Sequence, residues 1–117
     1  MIGLTLPASI FLSTRAADMR KSIDGLCGEA RDYLGCDPMD GTLFVFYNNR
    51  RDKIKLLFWD RDGYWVFYKR LEAGKFQMPL ISAHATRIAI DSSQLQLILS
   101  GIDLASVRRL KRFCVNS

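Results

Sequence analysis

Thr42-Leu-Phe-Val-Phe-Tyr-Asn48, Lys53-Ile-Lys-Leu-Leu-Phe-Trp-Asp60 and Tyr64-Trp-Val-Phe-Tyr-Lys-Arg-Leu71 are the stretches that decide the fold. All three are dense in aromatic and β-branched residues, which fit the pleated surface of a sheet. Only Asn49-Asn-Arg-Arg-Asp52 and Arg61-Asp-Gly63 separate them, and connections that short force antiparallel neighbours, because a parallel crossover needs a dozen or more residues. The reading is a three-stranded meander. Alternation in the middle strand puts Lys53, Lys55, Leu57 and Trp59 on one face and Ile54, Leu56 and Phe58 on the other. The second set is the cleaner core candidate, which leaves Trp59 beside two lysines.

Upstream, Asp37-Pro-Met-Asp-Gly41 is turn chemistry. Before it, Met19, Ile23, Leu26, Cys27, Ala30 and Leu34 recur at helical spacing, with Asp18 as the expected N-cap and Gly35 at the C-terminal end. A short apolar strand is expected over 9–13. Downstream, residues 75–78 read as a short edge strand ended by Pro79, residues 80–87 are ambiguous, and 86–90 alternates like a strand. Asp91-Ser-Ser-Gln94 has the form of a helix start. Leu95, Ile98, Leu99 and Ile102 supply that helix with an apolar stripe. The remaining tail, 103–117, has the spacing of a short basic helix or of a mobile end. The expected fold class is α+β, a small antiparallel sheet built on the meander and packed against two helices, as one domain over 1–104 with a basic C-terminal tail over 105–117.

The 117 residues are 49% hydrophobic and 25% charged, an ordinary globular balance. No apolar run approaches the roughly 20 residues a membrane span needs, and the apolar N-terminus lacks a basic region and a cleavage pattern. A cytoplasmic protein without membrane association is expected. Cys27, Cys36 and Cys114 are odd in number and widely spaced, which fits reduced thiols better than a disulfide framework or a zinc site.

The net charge of +5 is unevenly distributed. Residues 50–75 hold eight Lys and Arg against four Asp and Glu, and 103–117 hold four against one, whereas 1–49 carry a net negative charge. Clustered cations suit a polyanion. Arg50, Arg51, Lys53 and Lys55 surround one hairpin, Lys69, Arg70 and Lys75 lie on or after the third strand, and nine aromatics fall within 44–68. Basic groups interleaved with aromatics on a sheet make a stacking platform for single-stranded nucleic acid, although a packed sheet buries many such rings for its own sake. Trp59 is the candidate stacking residue. Arg20 and Lys21 fall in the first turn of the expected helix, where the dipole disfavours cations, so they are candidates for phosphate contact unless Arg20 pairs with Asp24. Arg108, Arg109, Lys111 and Arg112 form the densest basic run, a further candidate for phosphate contact or partner docking.

Catalytic patterns are missing from the chain. Asp60 and Asp62 form the sole Asp-x-Asp pair and flank a turn, His84 has no nucleophile or orienting carboxylate near it in sequence, and no phosphate-cradling glycine loop occurs. No cofactor or metal is expected.

Three stretches in order, Asp18-Met-Arg-Lys-Ser-Ile-Asp-Gly-Leu26, Leu43-Phe-Val-Phe46 through Asp52-Lys-Ile-Lys-Leu-Leu-Phe-Trp-Asp60, and Tyr68-Lys-Arg-Leu-Glu-Ala-Gly-Lys-Phe76, are joined by Gly101-Ile-Asp103. Over roughly residues 1–104 the chain resembles the second-reading-frame accessory protein, called TnpB, of the insertion-sequence-sixty-six group of bacterial mobile elements. Ser22, where that family usually has glycine, and Asn49-Asn are its departures. The resemblance implies an operon shared with a separate, larger transposase, and a requirement in transposition without the cleavage chemistry. The family is unrelated to the RNA-guided nucleases of the same name. The expected partners are DNA, as element ends or an exposed single strand, together with the cognate transposase and other element-encoded proteins. Direct nucleic-acid binding is the leading reading. The alternative is a protein adaptor that docks on the transposase and positions it, with Trp59 and Trp65 as anchors. Oligomeric state is not legible.

Overall fold

A computed structural model describes residues 7, 9–81 and 84–100, and the backbone of 102–103 and 108–109. Five strands form one sheet: β1 (Ile10–Ser13), β2 (Leu43–Tyr47), β3 (Lys53–Asp60), β4 (Gly63–Arg70) and β5 (Arg87–Ile90), in the order β4-β3-β2-β1-β5. β2, β3 and β4 are antiparallel neighbours, and β3 and β4 pair without interruption from Lys53 with Arg70 to Asp60 with Gly63. The sheet is mixed, not purely antiparallel as expected. β1 runs parallel to β2, through a crossover that contains the first helix, and antiparallel to β5.

That helix, α1 (Ile23–Asp32), covers one face of the sheet. Leu26, Cys27, Ala30 and Leu34 close over Phe44, Phe46 and Leu57. The second helix, α2 (Ser92–Ser100), lies on the opposite face, where Leu95 and Ile98 pack with Ile10, Leu12, Leu43, Val45, Ile54 and Phe58. A helix on each face explains why all five residues of β2 are buried.

The start of α2 follows the sequence reading. Asp91 Oδ1 accepts the Gln94 amide at 2.7 Å and Gln94 Oε1 accepts the Asp91 amide at 2.9 Å, a reciprocal capping box. The end of α1 does so as well. Gly35 adopts φ +69°, which lets the Cys36 amide turn back to the Ala30 carbonyl at 2.9 Å.

The start of α1 differs. Helical bonding begins with the Leu26 amide on the Ser22 carbonyl, so the helix opens after Ser22, and Asp18 organises a preceding turn by accepting the Arg20 amide. The cause is Lys55. Its Nζ donates to the Met19 and Lys21 carbonyls, both at 2.8 Å, and so takes two acceptors that a helix begun at Met19 would need for its own amides. Arg20 and Lys21 therefore precede the helix.

Residues 75–78 form no strand. The Phe76 amide donates to the Arg51 carbonyl at 2.7 Å, and the Phe76 side chain, fully buried, plugs the α2-face core. Past α2, Ile102 belongs to a two-residue strand, β6 (Ile102–Asp103), rather than to the helical stripe. β6 pairs antiparallel with β7 (Arg108–Arg109), so these two arginines stand in a strand and not in a helix. Lys111, Arg112 and Cys114 lie outside the described residues.

Candidate nucleic-acid interface

The connection between β2 and β3 is locked from several sides. Asn48 Oδ1 accepts the amides of Asp52 and Lys53 at 3.1 and 3.0 Å, while its Nδ2 donates to Asp52 Oδ1 at 2.7 Å. Arg51 takes the left-handed conformation, φ +59°, and the carbonyls of Arg51 and Asp52 accept the amides of Phe76 and Leu71. Opposite stands residues 16–20, fixed by the Ala17 amide on the Tyr47 carbonyl and by Lys55 beneath. Between the two runs an open groove of about 570 Å3, with Arg20, Arg50, Lys53 and Tyr68 along it and Asp18 and Asn49 at its margin. Tyr68 is 53% exposed, and Lys55 Nζ stands 5.2 Å from its ring centroid.

Five of the nine candidate cations whose side chains are described are engaged in hydrogen bonds or ion pairs within the protein. Lys21 donates to Glu29 Oε1 at 2.9 Å, beside Arg15 at 3.1 Å. Lys21 reaches Glu29 by folding across Gly25, where an added Cβ would stand 2.9 Å from Lys21 Cβ. Burial pushes the Glu29 carboxyl up, but the Lys21 and Arg15 hydrogen bonds outweigh it and hold the group below its ordinary range. Lys55 is engaged as described. Lys69 donates to the Leu99 carbonyl at the C-terminal end of α2, where the helix dipole favours a cation. Arg70 bonds Glu72. Arg20 forks onto Asp18, not Asp24, and this hydrogen bond draws the Asp18 carboxyl down to about 2, so the pair is zwitterionic at neutral pH.

Arg50 and Lys53 differ: neither makes a side-chain hydrogen bond or ion pair among the described residues, and both face the groove. Asp52 between them is occupied by Asn48, whose hydrogen bond lowers its pKa, with the charges of Lys53 and Arg50 adding to the effect. Arg51 points toward the Tyr47 ring, 6.0 Å from its centroid, and Lys75 is exposed beyond the turn. The structure thus gathers Arg20, Arg50 and Lys53 from the candidate set and places Lys69 on the α2 side of the sheet.

Trp59, the expected stacking residue, is half-buried and is not among the residues along the groove. It shares a face with Lys53 and Lys55, but Leu57, buried under α1, intervenes, and the Trp59 ring meets Tyr64 edge-on at 4.9 Å. Tyr68, not singled out from the sequence, is the aromatic residue along the groove, and its place opposite Lys55 follows from counting back along the hairpin from Asp60 and Gly63. Of the nine aromatics, Phe44, Phe46, Tyr47 and Phe58 are buried, Trp59, Tyr64 and Phe67 are half-buried, and only Trp65 and Tyr68 are exposed.

Among the described residues no cluster of three or more His, Cys, Asp or Glu is placed to hold a metal ion. Asp60 accepts the Trp65 indole N–H at 3.3 Å. No described helix is long and apolar enough to cross a membrane.

A family model described as "IS66 Orf2 like protein" matches residues 8–109. Two similar proteins come from Sinorhizobium fredii (strain NBRC 101917 / NGR234). Uncharacterized protein y4hO is 37% identical over 94 residues, covering 80% of each chain. Uncharacterized protein y4jC is 31% identical over 109 residues, covering 93% of this chain and 92% of its own. No solved structure matches.

Proposed function

Because the chain belongs to the IS66 Orf2 like family of insertion-sequence accessory proteins, we propose that it serves transposition by holding nucleic acid in the groove between residues 16–20 and 48–53, without cleaving it. The observation that carries this reading is the pair Arg50 and Lys53, two cations that make no side-chain hydrogen bond or ion pair among the described residues, on a turn whose backbone is fixed by Asn48. A locked turn presents its charges without a backbone ordering cost at the moment of binding. Phosphates docked there displace counterions, and Tyr68 offers a ring for a base to lie on. Arg20 contributes less, since Asp18 neutralises it.

Titrating fluorescent single- and double-stranded DNA, including the element's terminal repeats, with purified protein at two salt concentrations tests the reading. Two phosphate contacts on a single strand predict a log–log salt slope of roughly −1.4. Affinity that ignores salt, or that survives charge reversal of Arg50 and Lys53 together, defeats the proposal. Binding that appears only when the transposase is added transfers the role to an adaptor.

A further inference from the structure

β4 forms one edge of the sheet, and among the described residues no strand pairs with its outer side. In an antiparallel ladder every second residue of such a strand turns its N–H and C=O away from its neighbour, leaving a row of groups open to another chain. The devices that usually blunt an edge are weak here. β4 is eight residues long, contains no proline, and pairs with β3 without a bulge. Residues 75–78, expected as a short edge strand, instead bury Phe76. On the α2 face of β4, Trp65 is 45% exposed and stacks on Phe67, with centroids 5.9 Å apart and planes within 9°.

We infer that the outer edge of β4 pairs antiparallel with β4 of a second copy of this chain, joining two five-stranded sheets about a two-fold axis. The argument for a second copy is self-complementarity. A two-fold axis normal to an antiparallel sheet requires one residue to face its own copy. With Val66 on the axis, Trp65 of each copy faces Phe67 of the other, so that two two-ring stacks meet as one strip, and Tyr64 faces Tyr68. The same register sets Asp62, in the turn that opens β4, against Arg70 at its far end. β4 leads from an acidic turn, Asp60 and Asp62, to a basic end, Lys69 and Arg70, and only an antiparallel copy brings these opposite ends together. Arg70 keeps 58% side-chain exposure in its pair with Glu72, so it remains reachable. None of this uses Arg50 or Lys53, and Tyr68 is the residue that the edge and the groove share.

Sedimentation velocity of the full chain across the micromolar range tests the inference. A reversible dimer is expected, weakened about tenfold or more by Trp65→Lys, as for loss of an interfacial tryptophan. Asp62→Lys and Arg70→Glu each weaken association, and the two combined restore it, a rescue that a purely intramolecular role does not produce. Val66→Cys yields, on mild oxidation, a covalent dimer whose linked peptides both contain residue 66. A chain that stays monomeric at every concentration overturns the inference. So does a dimer indifferent to Trp65→Lys and to the charge exchange, or an edge occupied only when the transposase is present.

Discussion

The two turns of the β2-β3-β4 region make an instructive pair. Each holds an arginine in the left-handed region, Arg51 at φ +59° and Arg61 at φ +54°, a conformation that disfavours any residue with a Cβ. The first turn is clamped by Asn48 and by the Leu71 and Phe76 amides, and it borders the groove. The second is exposed, and Arg61 has only a long 3.9 Å contact with Asp60. Unusual backbone geometry alone therefore does not mark a site. The first turn differs in that its clamp fixes the backbone from which Arg50 and Lys53 border a concave surface.

The largest effect expected from breaking this contrast is structural. Asn48→Ala removes three hydrogen bonds and should cost roughly 2–3 kcal/mol of stability by denaturant melts, whereas Asp60→Ala should stay within about 1 kcal/mol. Next, Arg50→Glu combined with Lys53→Glu should lower single-strand affinity about 10- to 100-fold at low salt, and Arg61→Glu by less than about twofold, read by anisotropy. Lys55→Met should cost about 1–2 kcal/mol and release the Met19 and Lys21 carbonyls, so that amide exchange slows at residues 23 and 25 as α1 extends upstream. A smaller effect is expected from glycine. Arg61→Gly should stabilise by about 0.5–1 kcal/mol, since glycine accepts a positive φ freely, and Arg51→Gly by less because its contact with Tyr47 is lost.

The pH dependence sharpens the same contrast within the groove. Asp18 has a depressed carboxyl, so whatever its pairing with Arg20 contributes is fully present above its ordinary value of 3.8 and disappears as the pH falls through about 2. An NMR titration of the Asp18 carboxyl should show that midpoint. At neutral pH Arg20 is masked, and Arg20→Ala should reduce affinity less than Arg50→Ala does.

Local patterns were legible in the sequence wherever neighbours along the chain decide the outcome. The β3-β4 hairpin, the Asp91–Gln94 capping box and the Gly35 reversal all belong to that class. What escaped depends on distant partners. The start of α1 is set by Lys55, 36 and 34 residues beyond the Met19 and Lys21 carbonyls it binds. The parallel pairing of β1 and the burial of both sheet faces depend on where α2 and Phe76 return. The engagement of the candidate cations depends on distant partners in the same way. A run of basic residues shows where charge is dense, but not that Lys21 answers Glu29 or that Lys69 caps α2. Only the folded chain separates the engaged cations from Arg50 and Lys53.

The position of β1 also governs how the chain can reach its native state. β1 lies between β2 and β5, and its ladder to β5 joins Ile10 to Ile90, close to opposite ends of the described chain. During synthesis β1, α1 and the β2-β3-β4 segment leave the ribosome before β5 exists, so β1 waits with the N–H and C=O groups of one edge unpaired. Pairing across so long a stretch is entropically late and slow. The nascent chain is then most exposed to misassembly between the emergence of β4 and that of β5, an interval set by the length of the connection that carries Phe76 into the core.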